Sequence, residues 1–117
     1  MTQGDEVERV QATSIKLAGE NMKFDEVILP KREQIIQTAK EHGALRICVF
    51  GSVARRQDDE NSDIDFLVDL EPGRSLLDLG GLQYNLERLL NTKVDVVTER
   101  GLKERIRARV MNEAVPL

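Results

Sequence analysis

The chain has 117 residues, 40% of them hydrophobic and 32% charged, a composition that is typical of one globular domain and excludes a disordered or fibrous protein. Its formal net charge of −4 and its few aromatic side chains (three Phe, one Tyr and no Trp) argue against a nucleic-acid coat protein or a base-stacking surface. A single cysteine excludes an internal disulfide, and neither a signal peptide nor a long apolar run is recognisable. We therefore expect a cytoplasmic protein without a membrane anchor.

Residues 1–21 are polar and carry only a thin helical stripe of apolar side chains, which is too sparse to hold a helix in water. We interpret this segment as an N-terminal extension, helical or disordered. The run Met22-Lys23-Phe24 resembles the start of a new chain, and residues 22–117 are predicted to form the functional domain.

The first half of this domain is predicted to contain a helix, a strand and the start of a second helix. The first helix covers residues 25–42, with a bend or restart at Pro30, and Gly43 ends it in the left-handed conformation that glycine favours. The strand covers residues 45–50, and residues 53–57 begin the next helix.

The second half begins with a loop whose acidic run, residues 58–60, is expected to be solvated. A strand over residues 63–70 alternates apolar and mainly acidic positions, and Ser75 is the predicted N-cap of a leucine-rich helix. Another strand over residues 93–98 and a last helix over residues 102–112 complete the pattern. Strands that alternate with helices predict the α/β (α+β) class, with a small sheet flanked by helices.

The turn Gly51-Ser52, where the first strand passes directly into a helix, is a candidate phosphate site. Backbone N–H groups and a hydroxyl meet there at a helix N-terminus, and glycine lets a phosphate approach the backbone closely. Arg55 and Arg56 follow this turn, and a guanidinium there can pair with a phosphate oxygen. The alternative is that both arginines are solvated helix residues.

Three aspartates form a candidate metal site. Asp63 and Asp65 lie two apart on one strand face, and neighbouring carboxylates repel each other unless a cation binds between them. Oxygen ligands favour Mg²⁺ or Mn²⁺ over zinc. Asp95 joins the pair if the third strand neighbours the second, either as a ligand or as a base for an attacking hydroxyl. Together with the candidate phosphate turn, these carboxylates predict phosphoryl or nucleotidyl transfer. The alternative is an ordinary surface turn, with Asp63 and Asp65 on the solvent-exposed face of a half-buried strand.

From Phe24 to Leu117 the chain resembles the DNA polymerase β-type nucleotidyltransferase superfamily. More narrowly, it is similar to the minimal nucleotidyltransferase (MNT) domains, the antitoxin partners of HEPN ribonuclease toxins. The motifs that carry this resemblance are Val49–Arg55, Ser62–Val68, Lys93–Thr98 and Asn112–Leu117. The resemblance implies a polymerase β-like core with a small mixed sheet.

The resemblance also implies a role for each candidate residue. Gly51 and Ser52 would hold the triphosphate of ATP. Asp63 and Asp65 would bind Mg²⁺, or Mn²⁺ in its place, and Asp95 would complete the acidic triad.

One departure from the family pattern is Arg56, which stands where glycine is usual. The turn is therefore expected either to differ locally, or to aim Arg56 at a phosphate or at a partner. Neither outcome removes the predicted catalytic residues.

For the whole protein, the resemblance implies that AMP is transferred from ATP to a tyrosine of a cognate HEPN toxin, which silences the toxin's ribonuclease. Little chain follows Asp95, so no acceptor-binding domain is expected, and a protein acceptor in a hetero-oligomeric complex would serve instead. No direct contact with nucleic acid or membrane is expected. Two alternatives are a binding-only antitoxin that occludes its toxin and a nucleotidyltransferase that acts on a small molecule.

Overall fold

The computed structural model describes residues 22–117, so the expectation for residues 1–21 lies outside the described residues. Its strands are β1 (Ala44–Phe50), β2 (Ile64–Leu70), β3 (Val94–Thr98) and β4 (Val115–Pro116). Its α-helices are α1 (Arg32–Glu41), α2 (Gly51–Ala54), α3 (Leu76–Leu90) and α4 (Glu104–Glu113). Among these described residues, no helix is long and apolar enough to cross a membrane.

The strands form one mixed sheet in the order β3-β2-β1-β4. Strand β1 is antiparallel to both of its neighbours, β2 and β4, whereas β2 and β3 run parallel and are connected through α3. A parallel pair needs such a crossover, because a tight turn cannot reverse the chain direction twice. The predicted α/β (α+β) class, with a small mixed sheet flanked by helices, is confirmed.

The two faces of the sheet are covered by different helices. Helices α1 and α3 cover the face that carries Ile64, Phe66 and Val68, all three of which are buried. Helix α4 packs on the opposite face, where Leu67 and Val110 belong to a second, smaller cluster. The alternation predicted for β2 therefore holds, but its second face is partly apolar because it must also support α4.

The predicted bend at Pro30 is present, because the first helical stretch changes its winding there. Phe24–Ile28 forms a π-helical turn and Leu29–Lys31 a 3-10 turn, and only then does α1 begin. Proline lacks an N–H group and its ring crowds the preceding turn, so an uninterrupted α-helix is disfavoured.

Helix α3 begins as predicted at Ser75. The Ser75 side chain accepts from the backbone of the first turn, and Asp78 completes the capping box by accepting from the Ser75 N–H. Gly81 packs against His42, since a Cβ added there would lie 3.3 Å from the imidazole Cδ2. This glycine therefore allows α3 to pack closely against the end of α1.

Two features of the C-terminal part differ from expectation. Helix α4 begins at Glu104 rather than at Leu102, because a 3-10 turn and an extended Leu102, buried in the second cluster, come first. Strand β4 was not expected, because two residues are too short to show a periodic pattern. It pairs with β1 at the sheet edge, where Pro116 is tolerated.

Candidate active site

The predicted phosphate turn lies at the junction of β1 and α2. Gly51 has φ +77°, a conformation that side-chain-bearing residues rarely adopt, and a Cβ at this position would lie 2.5 Å from Asp65 Oδ2. Strand pairing opposes Phe50 and Asp65, which brings the turn beside the carboxylate. The two halves of the sequence motif therefore meet in space, and only glycine leaves room for the approach.

The structure also brings Asp95 beside Asp65. The two residues are register partners in the parallel β2–β3 pair, so both side chains project from the same face of the sheet. Asp63 lies one residue before β2, which begins at Ile64 rather than at Asp63, and it is exposed. The predicted triad thus lies at the N-terminal ends of β2 and β3, on the sheet face that α4 covers.

The electrostatics of this group centre on Asp65. Partial burial, followed by the negative charges of Asp95 and Asp63, raises the pKa of Asp65 to about 6, although the nearby Arg55 opposes this effect. Glu113 adds a smaller contribution in the same direction. A carboxylate held among other carboxylates gains from a bound cation, which removes the repulsion that raises its pKa.

The donors in this cluster suit a hard divalent cation, since all are carboxylate oxygens. Within residues 22–117, no three His, Cys, Asp or Glu side chains are already gathered as a ready-made metal cage. Ligation by Asp63, Asp65 and Asp95 would require their side chains to converge.

Sequence reasoning assigned no role to Glu113, which the structure places at the site. At the last turn of α4, its Oε2 accepts from the Gly51 N–H at 3.0 Å. Both of its carboxylate oxygens also accept from Arg55 Nη1, at 3.0 and 3.1 Å. A glutamate at a helix end carries no distinctive local pattern, and the only signal was its place within the Asn112–Leu117 motif.

Arg55 lies at the site but is already engaged. Besides its pair with Glu113, its Nε donates to Gln57 Oε1 at 3.0 Å. Its side chain is 41% exposed, so it is also partly solvated. Arg55 thus lies beside the candidate phosphate turn, as the first interpretation of the sequence predicts. It is also partly solvated, as the second predicts.

In the loop after α2, the expectation for Asp58 is wrong and that for Arg56 becomes more specific. Asp58 is not solvated: it is 8% exposed, and its Oδ2 accepts from the buried Lys23 backbone N–H at 3.0 Å. Arg56 adopts φ +57°, which gives a physical reason why glycine is usual at this position. Its guanidinium pairs with Asp25 and lies over the Phe24 ring.

Comparison with known proteins identifies the family of this chain. The nucleotidyltransferase domain family model matches residues 32–117, and the chain belongs to that family; the protein is a nucleotidyltransferase. The resemblance inferred from the motifs, including that to the minimal nucleotidyltransferases, is confirmed.

Individual relatives are found among proteins and solved structures. A Methanocaldococcus jannaschii protein, provisionally named a protein adenylyltransferase, is 44% identical over 84 residues, which cover 72% of this chain and 90% of the relative. The protein adenylyltransferase MntA of Thermococcus cleftensis is 44% identical over 73 residues, covering 62% and 74% of the two chains. A solved structure of a provisionally assigned minimal nucleotidyltransferase is 49% identical, with TM-score 0.72, and the match covers 79% of this chain and 94% of that one.

A more distant structure shares the fold alone. It is a toxin–antitoxin with AMP-PNP, 23% identical with TM-score 0.62, and the match covers 72% of this chain and 69% of the other.

Proposed function

We propose that this protein is an antitoxin that transfers AMP from ATP to a tyrosine of a cognate HEPN ribonuclease toxin in the cytoplasm, and so neutralises it. The observation that carries the proposal is the meeting of the Gly51 turn with Asp65, which has Asp95 as its register partner. A phosphate-binding turn beside a carboxylate cluster at the ends of the strands supplies the parts that nucleotidyl transfer requires. Residues 22–117 would be the functional unit.

Each residue of the site has a role in this proposal. Gly51 and Ser52 would bind the triphosphate through backbone N–H groups and the Ser52 hydroxyl, and Arg55 is a candidate for a further phosphate contact. For this, the Gly51 N–H and the Arg55 guanidinium must exchange Glu113 for a phosphate oxygen. Asp63 and Asp65 would hold Mg²⁺, or Mn²⁺, which when bound neutralises charge that develops on the phosphates.

The reaction is an in-line displacement at the α-phosphorus of ATP. The tyrosine oxygen forms a bond to this phosphorus while the bond to the bridging oxygen of the β-phosphate breaks, and pyrophosphate leaves. Asp95, which is exposed on β3, would accept the proton of the tyrosine hydroxyl.

The protein acceptor is supported by relatives rather than by a residue of this chain. The Thermococcus cleftensis relative is named a protein adenylyltransferase, and the distant structure that shares the fold is a toxin–antitoxin with AMP-PNP. By analogy, we infer that the toxin is both the partner in a hetero-oligomeric complex and the substrate.

The test is to incubate the protein with its cognate partner and Mg-ATP and to measure the intact mass of the partner. We expect an AMP-sized increment on the partner, and tandem mass spectrometry should place it on tyrosine. The double variant Asp63→Asn/Asp65→Asn should abolish the increment. Asp69→Asn is the matched control, because Asp69 is an exposed carboxylate on the same strand but opposes Arg46, away from the Gly51 turn.

Two results would contradict the proposal and point to the alternatives. A double variant that neutralises the partner as well as wild type does would favour occlusion without catalysis. Turnover of a small hydroxyl compound without any increment on the partner would favour a small-molecule acceptor.

A further inference from the structure

The loop between α2 and β2 links the two halves of the site, because it follows the phosphate turn and ends at Asp63. Residues Lys23–Asp25 contact this loop along its length. They lie before residue 32, where the match to the nucleotidyltransferase family model begins. These contacts are therefore contributed by a part of the chain that the family match does not cover.

Lys23 holds the middle and the end of the loop. Its backbone N–H donates to Asp58 Oδ2 at 3.0 Å, and both residues are at least nine-tenths buried. Its ammonium group donates to the carbonyl oxygens of Asp59 and Ser62, at 2.8 and 2.9 Å. Because Ser62 directly precedes Asp63, the lysine fixes the backbone from which this aspartate projects.

Phe24 and Asp25 hold the start of the loop through Arg56. The guanidinium carbon lies 4.4 Å from the centre of the Phe24 ring, and the guanidinium donates to both Asp25 carboxylate oxygens at 3.2 Å. The hydrogen bond from Arg56 lowers the pKa of Asp25. These contacts offset the cost of a left-handed backbone at a residue that is not glycine.

We propose that Lys23 and Asp25 are positioning residues that clamp this loop and thereby set the position of Asp63 relative to the Gly51 turn. The role rests on the proposed function, since a loop that moved would carry Asp63, one of the two proposed metal ligands, away from Asp65. Neither residue touches the reacting atoms. Their effect is transmitted through Ser62 and Arg56.

The first experiment compares the full-length variants Lys23→Met and Lys31→Met. Lys31 is the matched control, because its ammonium also donates to a backbone carbonyl, that of Leu89, but does so away from the loop. Calorimetric titration with Mn²⁺ alone should show affinity about tenfold weaker in Lys23→Met, the loss typical when a group that orients a ligand is removed. Lys31→Met should bind Mn²⁺ as wild type does.

Amide hydrogen exchange provides a readout that needs neither metal nor nucleotide. The backbone N–H groups of Asp59, Asn61 and Ser62 are hydrogen-bonded within the loop. They should exchange about tenfold faster in Lys23→Met, while the amides of β1 keep their protection. Unchanged exchange in the loop would overturn the proposal, whatever the metal affinity.

A second variant guards against a Lys23→Met protein that does not fold. Asp25→Asn weakens only the exposed Asp25–Arg56 ion pair and should speed amide exchange in the loop without loss of the fold. Unchanged exchange in this variant would also overturn the proposal.

Failure of the proposed function would give a different result from failure of the clamp. A wild-type protein with a protected loop that transfers no AMP would leave the clamp intact and contradict the proposed function alone.

Discussion

Among single residues, the close approach of Gly51 and Asp65 does most to shape the candidate site. The left-handed backbone of Gly51 and the absence of a Cβ are both needed, since the carboxylate oxygen occupies the space in which a side chain would begin. The same approach leaves Asp65 partly buried among other carboxylates. The pKa of this carboxyl is therefore raised, and a bound cation would oppose that effect.

Substitution of Gly51 by Ala should damage both stability and activity. The added methyl group would clash with Asp65, and alanine is strained at φ +77°, so we expect a loss of about 1–3 kcal/mol in the free energy of unfolding. AMP transfer should fall by about 100-fold, since displacement of a reacting group by an ångström has that effect. Chemical denaturation and transfer kinetics measure both losses.

The control is Gly80→Ala, at a helical glycine with open space around the new Cβ. It should raise stability by up to about 1 kcal/mol, because alanine is the better helix former. A Gly51→Ala protein with wild-type activity would contradict the role assigned to this turn.

The pKa of Asp65 predicts a specific dependence of stability on pH. Because its pKa in the folded protein is raised from 3.8 to about 6, the folded state binds the proton more tightly than the unfolded state does. This stabilisation is fully present below pH 3.8 and is lost as the pH rises through about 6. At pH 7.5 without metal, Asp65→Asn should therefore be more stable than wild type, by about 1 kcal/mol once solvent screening is allowed for.

Thermal unfolding of the two proteins at pH 7.5 and at pH 4 measures this difference, which should shrink at the lower pH. Asp69→Asn should show no such gain. A less stable Asp65→Asn at pH 7.5 would mean that the carboxylate is not under the repulsion described. The stabilised variant should nevertheless be inactive, since the charge that costs stability is the one proposed to bind the metal.

At the scale of elements, the site is assembled where β1, α2, β2 and β3 meet and is tied to α4 by one side chain. Glu113 accepts hydrogen bonds from both Gly51 and Arg55, so the last helix holds the turn by its backbone as well as by an ion pair. Such a contact links positions 62 residues apart. It also occupies the two donors that would otherwise face a phosphate.

Replacement of Glu113 by Gln tests the importance of this link. The amide oxygen can still accept from Gly51, but the charge that pairs with Arg55 is lost, so KM for ATP should change more than stability does. Loss of a neighbouring negative charge should also lower the pKa of Asp65 and move the acid limb of the pH–rate profile to lower pH.

The control for this variant is Glu104→Gln, which breaks an ion pair with Arg107 on the same helix, where Glu104 is 89% exposed. It should change neither KM nor the pH profile. Identical pH profiles for Glu113→Gln and wild type would show that Glu113 does not act on Asp65.

Much of this assembly could be predicted from the sequence, because local patterns determine it. The alternation in β2, the glycine at the end of β1 and the cap at Ser75 each have a signature within a few residues. Glu113, the burial of Asp58 and the short strand β4 could not be predicted. They depend on contacts between distant parts of the chain, for which no local pattern exists.

At the scale of the whole molecule, the larger hydrophobic core and the candidate site lie on opposite faces of the sheet. One face, under α1 and α3, carries the larger hydrophobic core that holds the fold together. The other face carries the three aspartates at one edge and a smaller cluster beneath α4. Three of the chain's carboxylates are thus gathered at one place, near the Gly51 turn.

In the proposed function, the phosphates of a nucleotide and a divalent cation converge between the Gly51 turn and the aspartates. A crystal structure of the full chain with Mn²⁺ and a non-hydrolysable ATP analogue tests this most directly, since the anomalous signal of manganese locates the ion. We expect manganese to be bound by Asp63 and Asp65, with the phosphates against Gly51 and Ser52. Manganese or phosphates bound elsewhere, with no ligand between the Gly51 turn and the aspartates, would contradict the proposed function.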